Sequence, residues 1–589
     1  MSKRADWKER GIRGLWFTPA LFASLAVIFI LGYLLITALP AFLEAGVVDF
    51  LFGTDWNPTG SNPSYGIGAL IVGTLLVTAG AMLIAVPLGL LTAVFLAYVA
   101  PKKLRDTVKP AVELLSGIPS VVYGFFGMLV LCSFLQRTLD IPSGFSWAAA
   151  SILLGIMALP TIVSVSEDAL SAVPKDFREA SLGLGATRFQ TISRVLLPAA
   201  ASGISAAVVL GMGRAIGETM AVMMVAGNSA VIPSPLWDVL SSIRTLTATL
   251  GIELAEVSAG STHYYALFGI AVILLVITLA VNLAARFVTK RIEQGKAPFV
   301  LPSLPALPIR ISPRLTEKIA FACIYLGTFA VLAILVVILG NIFINGIPAI
   351  TWDFLTESPR NLGRDGGIFP AIIGTLELVF GAILIALPLG IGAAVYLKEY
   401  AKNSRITSLL RTGIDLLSGT PSIVFGVFGF AFLVIFLGWG ICLLAGMICL
   451  ALMILPTIIK TTEEALKAVP DALREASLGL GATKSQTILR VVVPAAASGI
   501  ITGAVLSLGR AAGETAPIMF TAVVFSKRFI TPDLFEPVMA LPFHLYVLTT
   551  SVPNTEPQQY ATAVVLICLV AVFYIAAAAL RRKFQKKLV

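Results

Sequence analysis

Charge is scarce in this sequence. Of its 589 residues only 13% are Asp, Glu, Lys or Arg, while 57% are apolar and the mean hydropathy is +0.93. A soluble chain cannot hide that much apolar surface, so the composition excludes a soluble globular protein and leaves a polytopic membrane protein. Histidine is almost absent. His263 and His544 lie far apart and have no ligand-like neighbours, so neither receives a role. The five cysteines, Cys132, Cys323, Cys442, Cys449 and Cys568, all fall in apolar segments and form no Cys-x-x-Cys pair. They read as buried small hydrophobes rather than as metal or redox groups. No Gly-x-x-x-x-Gly-Lys-Ser/Thr occurs, so the chain has no P-loop and does not itself hydrolyse ATP. No Ser-His-Asp or Cys-His arrangement stands out either. No catalytic residue, metal ligand or bound cofactor is therefore expected on this chain.

The charge that is present is placed with a bias. The net charge of +10 sits in short segments between apolar runs, which is the pattern of cytoplasmic membrane loops and not of a nucleic-acid surface. The N-terminus carries Lys3, Arg4, Lys8, Arg10 and Arg13 ahead of an apolar run over 17–39. That run is too long for a signal-peptide core and lacks a small-residue cleavage site, so it reads as an uncleaved first span. Five more spans follow at 67–99, 110–135, 146–166, 198–228 and 264–288. A second set of six covers 318–344, 368–398, 409–437, 439–460, 494–525 and 559–580. Pro87 and Pro388 predict a kink in the second span of each set. Segments 1–16, 100–109, 167–197 and 289–317 are rich in Lys and Arg, whereas 40–66 has none and carries Glu44, Asp49 and Asp55. Both termini are thus expected in the cytoplasm. Two long outer segments, 229–263 and 526–558, are open to three readings: lids, a docking face, or helices lying at the membrane interface.

The chain is a duplication. Glu179-Ala180-Ser181-Leu182-Gly183-Leu184-Gly185-Ala186-Thr187 recurs letter for letter from Glu475 to Thr483, about half the chain later. Each copy is followed by Pro-Ala-Ala-Ala-Ser-Gly-Ile, from Pro198 and from Pro494. The division is 1–288, a first domain with its inner loop at 167–197; 289–317, a linker holding Pro298, Pro302, Pro305, Pro308 and Pro313; and 318–589, a second domain with its inner loop at 461–493. Six spans per unit put the two units in the same orientation, a parallel repeat. Within each inner loop Pro174 and Pro470 suit a helix first turn, and Asp176 and Asp471 complement its dipole. A glycine stop is expected near Gly183 or Gly185, followed by capping boxes at Thr187–Gln190 and Thr483–Gln486. Connections are usually short, and a pair of long, folded, identical loops suggests a pair of identical sockets.

These loops resemble the "EAA" loop of ABC importer permeases, Glu-Ala-Ala, three residues, Gly, nine residues, Ile-x-Leu-Pro. The matching residues are Glu179-Ala180-Ser181, Gly185 and Val195-Leu196-Leu197-Pro198, then Glu475-Ala476-Ser477, Gly481 and Val491-Val492-Val493-Pro494. Serine at the third position, valine for isoleucine and Val493 for leucine are conservative departures. The resemblance implies an all-α, type I ABC importer permease fold with about 12 transmembrane helices. It implies that Glu179, Ala180, Gly185, Glu475, Ala476 and Gly481 couple to an ATPase. The implied partners are two copies of a cytoplasmic ABC ATPase subunit, which would hold the ATP and Mg, and an extracytoplasmic binding protein, all at a bacterial inner membrane.

One span further on, Gly213-Arg214-Ala215-Ile216-Gly217-Glu218-Thr219 is matched by Gly509-Arg510-Ala511-Ala512-Gly513-Glu514-Thr515. Sixteen residues beyond Pro198, Arg214 stands about 24 Å along a helix. A charge at that depth costs at least ~2.5–3.5 kcal/mol unless it faces protein or water. Arg and Glu four apart share a helix face and can pair. They serve as a buried ion pair or as a substrate pathway in which two guanidinium forks meet an oxyanion and the glutamates keep it from being trapped. The pattern is similar to the two permease subunits of the phosphate importer, here fused, and the similarity extends through Ser116-Gly117-Ile118-Pro119-Ser120 and Ser418-Gly419-Thr420-Pro421-Ser422. Those Gly-x-Pro-Ser segments are read as kinks of the third spans, with backbone N–H groups opened toward the pathway as the alternative. The resemblance implies Arg214, Glu218, Arg510 and Glu514 as the phosphate pathway. The rival expectations are a permease for molybdate, sulfate or phosphonate, and an ion-coupled secondary transporter with parallel repeats.

Overall fold

The computed structural model describes residues 3–293, 312–402, 404–527 and 533–585. The proline-rich centre of the linker, 294–311, and Arg528 of the second outer segment lie outside the described residues. Ten helices are long and apolar enough to cross a membrane, or up to twelve if two bent pairs each count as one span. The architecture is therefore two six-span repeats, each with the same order of parts.

Each first span is given to the other repeat. Helix Lys3–Ala45 packs on Phe369–Val395 and Arg405–Ser418 as well as on its own Thr262–Glu293. Helix Pro313–Gly346 reciprocates against Gly68–Val94 and Lys102–Gly117 and also meets its own Glu556–Gln585. The second and fourth spans of each repeat form the tightest pairs, Gly68–Val94 with Trp147–Ser171 and Phe369–Val395 with Leu443–Lys467. Small residues allow this approach. A Cβ built on Gly155 would sit 3.2 Å from the Ala81 carbonyl oxygen, so close van der Waals packing replaces the hydrophobic drive that lipid removes. The second spans run through Pro87 and Pro388 as unbroken helices rather than as two pieces.

The expected third and fifth spans are not single helices. The third begins as an amphipathic helix, Lys102–Gly117 or Arg405–Ser418, stops at the Gly-x-Pro-Ser segment, and resumes from Ser120 or Ser422. In the second repeat the two pieces meet at 94°. Pro119 and Pro421 sit at the N-caps of the resumed helices, where a missing N–H costs nothing. The fourth spans extend past their apolar stretch to Ser171 and Lys467, because buried acids hold them to the amphipathic helices. Glu167 is fully buried and takes Arg105 and Lys109 as partners, and Glu463 pairs with Arg411 at 2.7 Å. Basic residues that read as a simple loop are thus partly structural.

The outer segments are not surface helices. Leu246–Glu253 and Leu541–Ser551 are largely buried and dip back into the bundle. Each is pinned to a second span by the same bond, Leu246 N–H donating to Thr74 Oγ1 at 3.0 Å and Leu541 N–H to Thr375 Oγ1 at 2.9 Å. His263, without a role in the sequence, joins a clamp at this end. Glu253 accepts from Trp56 Nε1 at 3.1 Å and Arg244 Nη1 at 2.5 Å, and lies 2.8 Å from His263 Nε2. Short antiparallel hairpins precede both second spans, pairing Trp56 with Tyr65 and Pro359 with Gly366. Of the cysteines, Cys132, Cys442 and Cys449 are buried, but Cys323 and Cys568 are exposed on membrane helices, a correction to the reading of all five as core.

Candidate functional site: two duplicated loops and a central charge cluster

The two inner loops fold alike. The first helices, Lys175–Gly183 and Asp471–Gly479, begin after Pro174 and Pro470, which take the N-cap rather than the first turn. Asp176 and Asp471 lie in the first turns, where the N-terminal dipole favours a carboxylate. Both helices end at a turn in which Gly185 and Gly481 adopt φ of +83° and +84°, a conformation that only glycine takes without strain. The capping boxes are complete: Gln190 N–H donates to Thr187 Oγ1 while Thr187 N–H donates to the Gln190 side chain, and Thr483 and Gln486 repeat this.

Serine at the third position of the motif has a place in this geometry. Ser181 Oγ lies 3.0 Å from Thr191 Oγ1, and Ser477 Oγ lies 2.9 Å from Thr487 Oγ1. Each hydroxyl pair ties the first helix of the knob to the second. The tips are bare. Leu184 and Leu480 are each 90% exposed, and Glu179, Ala180, Glu475 and Ala476 are exposed as well.

The second knob runs on into its fifth span, Val493–Gly513, whereas in the first repeat Arg188–Ala199 meets the fifth span Ala201–Gly217 at a 73° bend. These helices stop at Gly217 and Gly513, and Glu218 and Glu514 follow in extended backbone. Arg and Glu are therefore not stacked on one continuous helix face as four-residue spacing suggested. Arg510 Nε stays 3.7 Å from Glu514 Oε1, whereas Arg214 and Glu218 form no such pair among the described residues. The break is secured from outside by Thr247, whose hydroxyl donates to the Glu218 carbonyl at 2.9 Å.

The four residues come together across the repeat interface. Glu218 interacts electrostatically with Glu514 as well as with Arg214, and Glu514 interacts with both Arg510 and Arg214 and with the Ser422 side chain. The resumed third spans complete the cluster. Gly217 abuts Pro421 of the opposite repeat, and Gly513 abuts Pro119. The Gly-x-Pro-Ser segments are thus both bends and walls of the central site. Beyond the cluster, every residue of Met220–Val225 and of Ala516–Met519 is buried, while Arg510 remains 47% exposed. The buried helices Met220–Val225 and Ala516–Met519 thus close the chain beyond each glutamate, while the Arg510 side chain keeps access to solvent.

Two further residues of this site were not singled out in the sequence. Tyr574 in the sixth span of the second repeat packs on Gly509 and on Gly117 of the first, and its hydroxyl feels both Arg214 and Arg510. Asn282 takes the corresponding place in the first repeat, against Gly213 and Gly419. Asn282 carried a signal, a polar side chain in an apolar run. Tyr574 did not, since tyrosine is common at membrane depth near an interface. Among the described residues no group of three His, Cys, Asp or Glu side chains could hold a metal ion.

Residues 85–294 and 386–588 each match the family described as binding-protein-dependent transport system inner membrane component. The chain belongs to that family. It is an ABC transporter permease in which two permease repeats are fused, multi-pass and built for the inner membrane. It is 42% identical to the probable ABC transporter permease protein YqgH of Bacillus subtilis, over 49% of this chain and 94% of that protein. It is 34% identical to the phosphate transport system permease protein PstC of Mesorhizobium japonicum, over 49% of this chain and 94% of that one. A homolog of phosphate transport system permease protein PstA from Mycoplasma pneumoniae is 26% identical over 92% of this chain and 89% of its own length.

Proposed function

We propose that this permease carries inorganic phosphate inward by alternating access, driven by ATP hydrolysis on separate cytoplasmic subunits. The observation that carries the reading is that Arg214 and Glu218 of one repeat interact with Glu514, the ion-pair partner of Arg510, across the interface. Two guanidinium forks match a tetrahedral oxyanion, and the carboxylates accept from a protonated phosphate while limiting how tightly it is held. The names of the relatives from Mesorhizobium and Mycoplasma favour phosphate over other oxyanions.

In this reading the basic end of the bundle and both termini are cytoplasmic. Each knob, through Glu179, Ala180 and Gly185 or through Glu475, Ala476 and Gly481, seats in one of two ATPase subunits, which bind ATP and Mg. A phosphate-binding protein docks at the opposite end, over the buried helices Leu246–Glu253 and Leu541–Ser551. Closure of the ATPases draws the knobs together; the second knob runs on into its fifth span, the first reaches its own across a 73° bend, and the fifth spans carry that movement to the arginines.

The test is radiolabelled phosphate uptake into vesicles holding the full complex, with and without ATP and binding protein. Uptake that needs both, and that excess sulfate or molybdate fails to compete, supports the reading. Uptake driven by an ion gradient without ATP, or preferential uptake of another oxyanion, overturns it.

A further inference from the structure

The two coupling loops are alike in sequence, yet the sockets behind them are not. In the second repeat Arg474, the fourth residue of its coupling helix, is largely buried and bound to Glu399 at 2.9 Å, to Asp471 at 2.9 Å and to the Leu466 carbonyl at 2.8 Å. Lys484 lies over the Tyr400 ring at 4.9 Å, and the Tyr400 hydroxyl donates to Glu9, which the first span of the opposite repeat brings in. Both coupling-loop cations of that socket, Arg474 and Lys484, thus have internal partners.

In the first repeat Tyr98 stands where Glu399 stands in the second, at the fourth position of the turn that ends the second span. Its hydroxyl is already used, donating to the Leu170 carbonyl at 2.7 Å. Arg178, the counterpart of Arg474, is exposed and has no carboxylate partner among the described residues. Helix Pro313–Gly346 enters this socket in place of the first span and adds Arg314 and Lys318 against a single acid, Glu317. Arg188 completes a cavity of about 730 Å³ with four cations and one carboxylate. Phe321 and Tyr325 line its membrane side, and Leu326 and Phe329 continue outward from it as exposed apolar surface on the same helix.

The geometry points to a phosphate-bearing anion site here, filled by the headgroup of an anionic phospholipid whose chains lie along helix Pro313–Gly346. Guanidinium and ammonium groups clustered between membrane helices at a cytoplasmic surface are the chemistry that holds such headgroups. The aromatic rim is suited to the headgroup level of a bilayer. Because Arg178 belongs to one coupling helix only, the lipid would brace one knob and leave the other braced by protein.

Native mass spectrometry of the purified full chain tests this. The chain is reconstituted in nanodiscs of phosphatidylcholine alone or with phosphatidylglycerol, and the retained phosphatidylglycerol is counted on release. The intact chain should retain it. An Arg314→Gln, Lys318→Gln double variant should lose retention by roughly fivefold per charge removed. Tyr98→Glu, which imports the acid of the other socket, should lose it too with every cation still present. Retention unchanged in both monodisperse variants overturns the site. So does saturable binding of inorganic phosphate in phosphatidylcholine discs that phosphatidylglycerol cannot displace, since that assigns the cavity to a free anion. Loss of ATPase association in Tyr98→Glu with lipid retention intact also overturns it, because the cations would then serve a protein partner.

Discussion

Gly217 packs against Pro421: a Cβ built on the glycine would lie 3.4 Å from both Cα and Cβ of a proline in the opposite repeat. Gly513 meets Pro119 in the same way at 3.3 Å. These two contacts place the end of each fifth span on the bend of the other repeat's third span. In the proposed mechanism, movement of a fifth span is felt by the partner repeat at this point, one residue before the glutamate.

A side chain larger than a methyl has no room there. Gly217→Val or Gly513→Val should wedge the repeats apart at an overpacking cost of about 1–3 kcal/mol. Because the contact lies in the moving part, transport should fall by roughly tenfold or more while the chain still assembles with its ATPases. Uptake measured beside co-purification of the complex checks this. Near-normal uptake in both variants would show that the contact takes no part in that movement.

The two arginines should not be equivalent. Arg510 is held by its own glutamate at 3.7 Å, whereas among the described residues no ion pair of that kind joins Arg214 to Glu218, and Arg214 interacts with Glu514 across the interface. Arg214 is accordingly the freer donor for an anion. Arg214→Gln should raise KM for phosphate more than Arg510→Gln does, and Arg510→Gln should act mainly on kcat by freeing Glu514. Lysine should rescue neither fully, since it lacks the fork. Concentration-dependent uptake separates the two effects, and equal KM shifts would remove the asymmetry.

Much of this was open to sequence reasoning, for a physical reason. The span pattern, the fusion and the coupling loops depend on local rules: hydropathy over ~20 residues, a proline before a helix, a glycine in the left-handed region, a Thr-x-x-Gln box. Gly185, Thr187 and Gln190 adopt the conformations those rules require. The central site was legible in composition but not in geometry. Nothing in Gly213–Thr219 announces that the helix ends at Gly217, because the break is fixed from a distance by Thr247 and Pro421. Tyr574 and the buried outer helices escaped for the same reason. Their positions follow from contacts between residues far apart in the chain, within a repeat for the outer helices and across the repeats for Tyr574 against Gly117, which local sequence rules do not contain.

The hydroxyl ties inside the knobs carry their own expectation. Ser181→Ala removes the bond to Thr191, and Ser477→Ala the bond to Thr487, each worth about 0.5–1.5 kcal/mol. Folding should survive, because the capping boxes remain. What should change is transmission: the first knob helix would move without the second. ATPase activity of the complex should persist while phosphate uptake per ATP falls. The ratio of the two rates in proteoliposomes is the measurement, and an unchanged ratio with both serines replaced would confine the bond to a structural role.

Glu167 offers a test of stability kept apart from transport. It is fully buried between the fourth span and the helix Lys102–Gly117, and it is the acid that Arg105 and Lys109 share, the latter at 2.5 Å. Removing one member of a buried pair usually costs ~3–5 kcal/mol, because the remaining charge is left without a partner. Here both cations are partly exposed and can turn to water, and Lys109 keeps Asp168 at 2.9 Å, so the cost should fall to about 1–3 kcal/mol. Glu167→Ala should therefore lower the unfolding temperature of the detergent-solubilised chain by several degrees without abolishing expression. Asp168→Ala, at an exposed carboxylate on the same helix, should barely move it. If the two variants melt together, Glu167 does not anchor the amphipathic helix and the extension of the fourth span to Ser171 needs another cause.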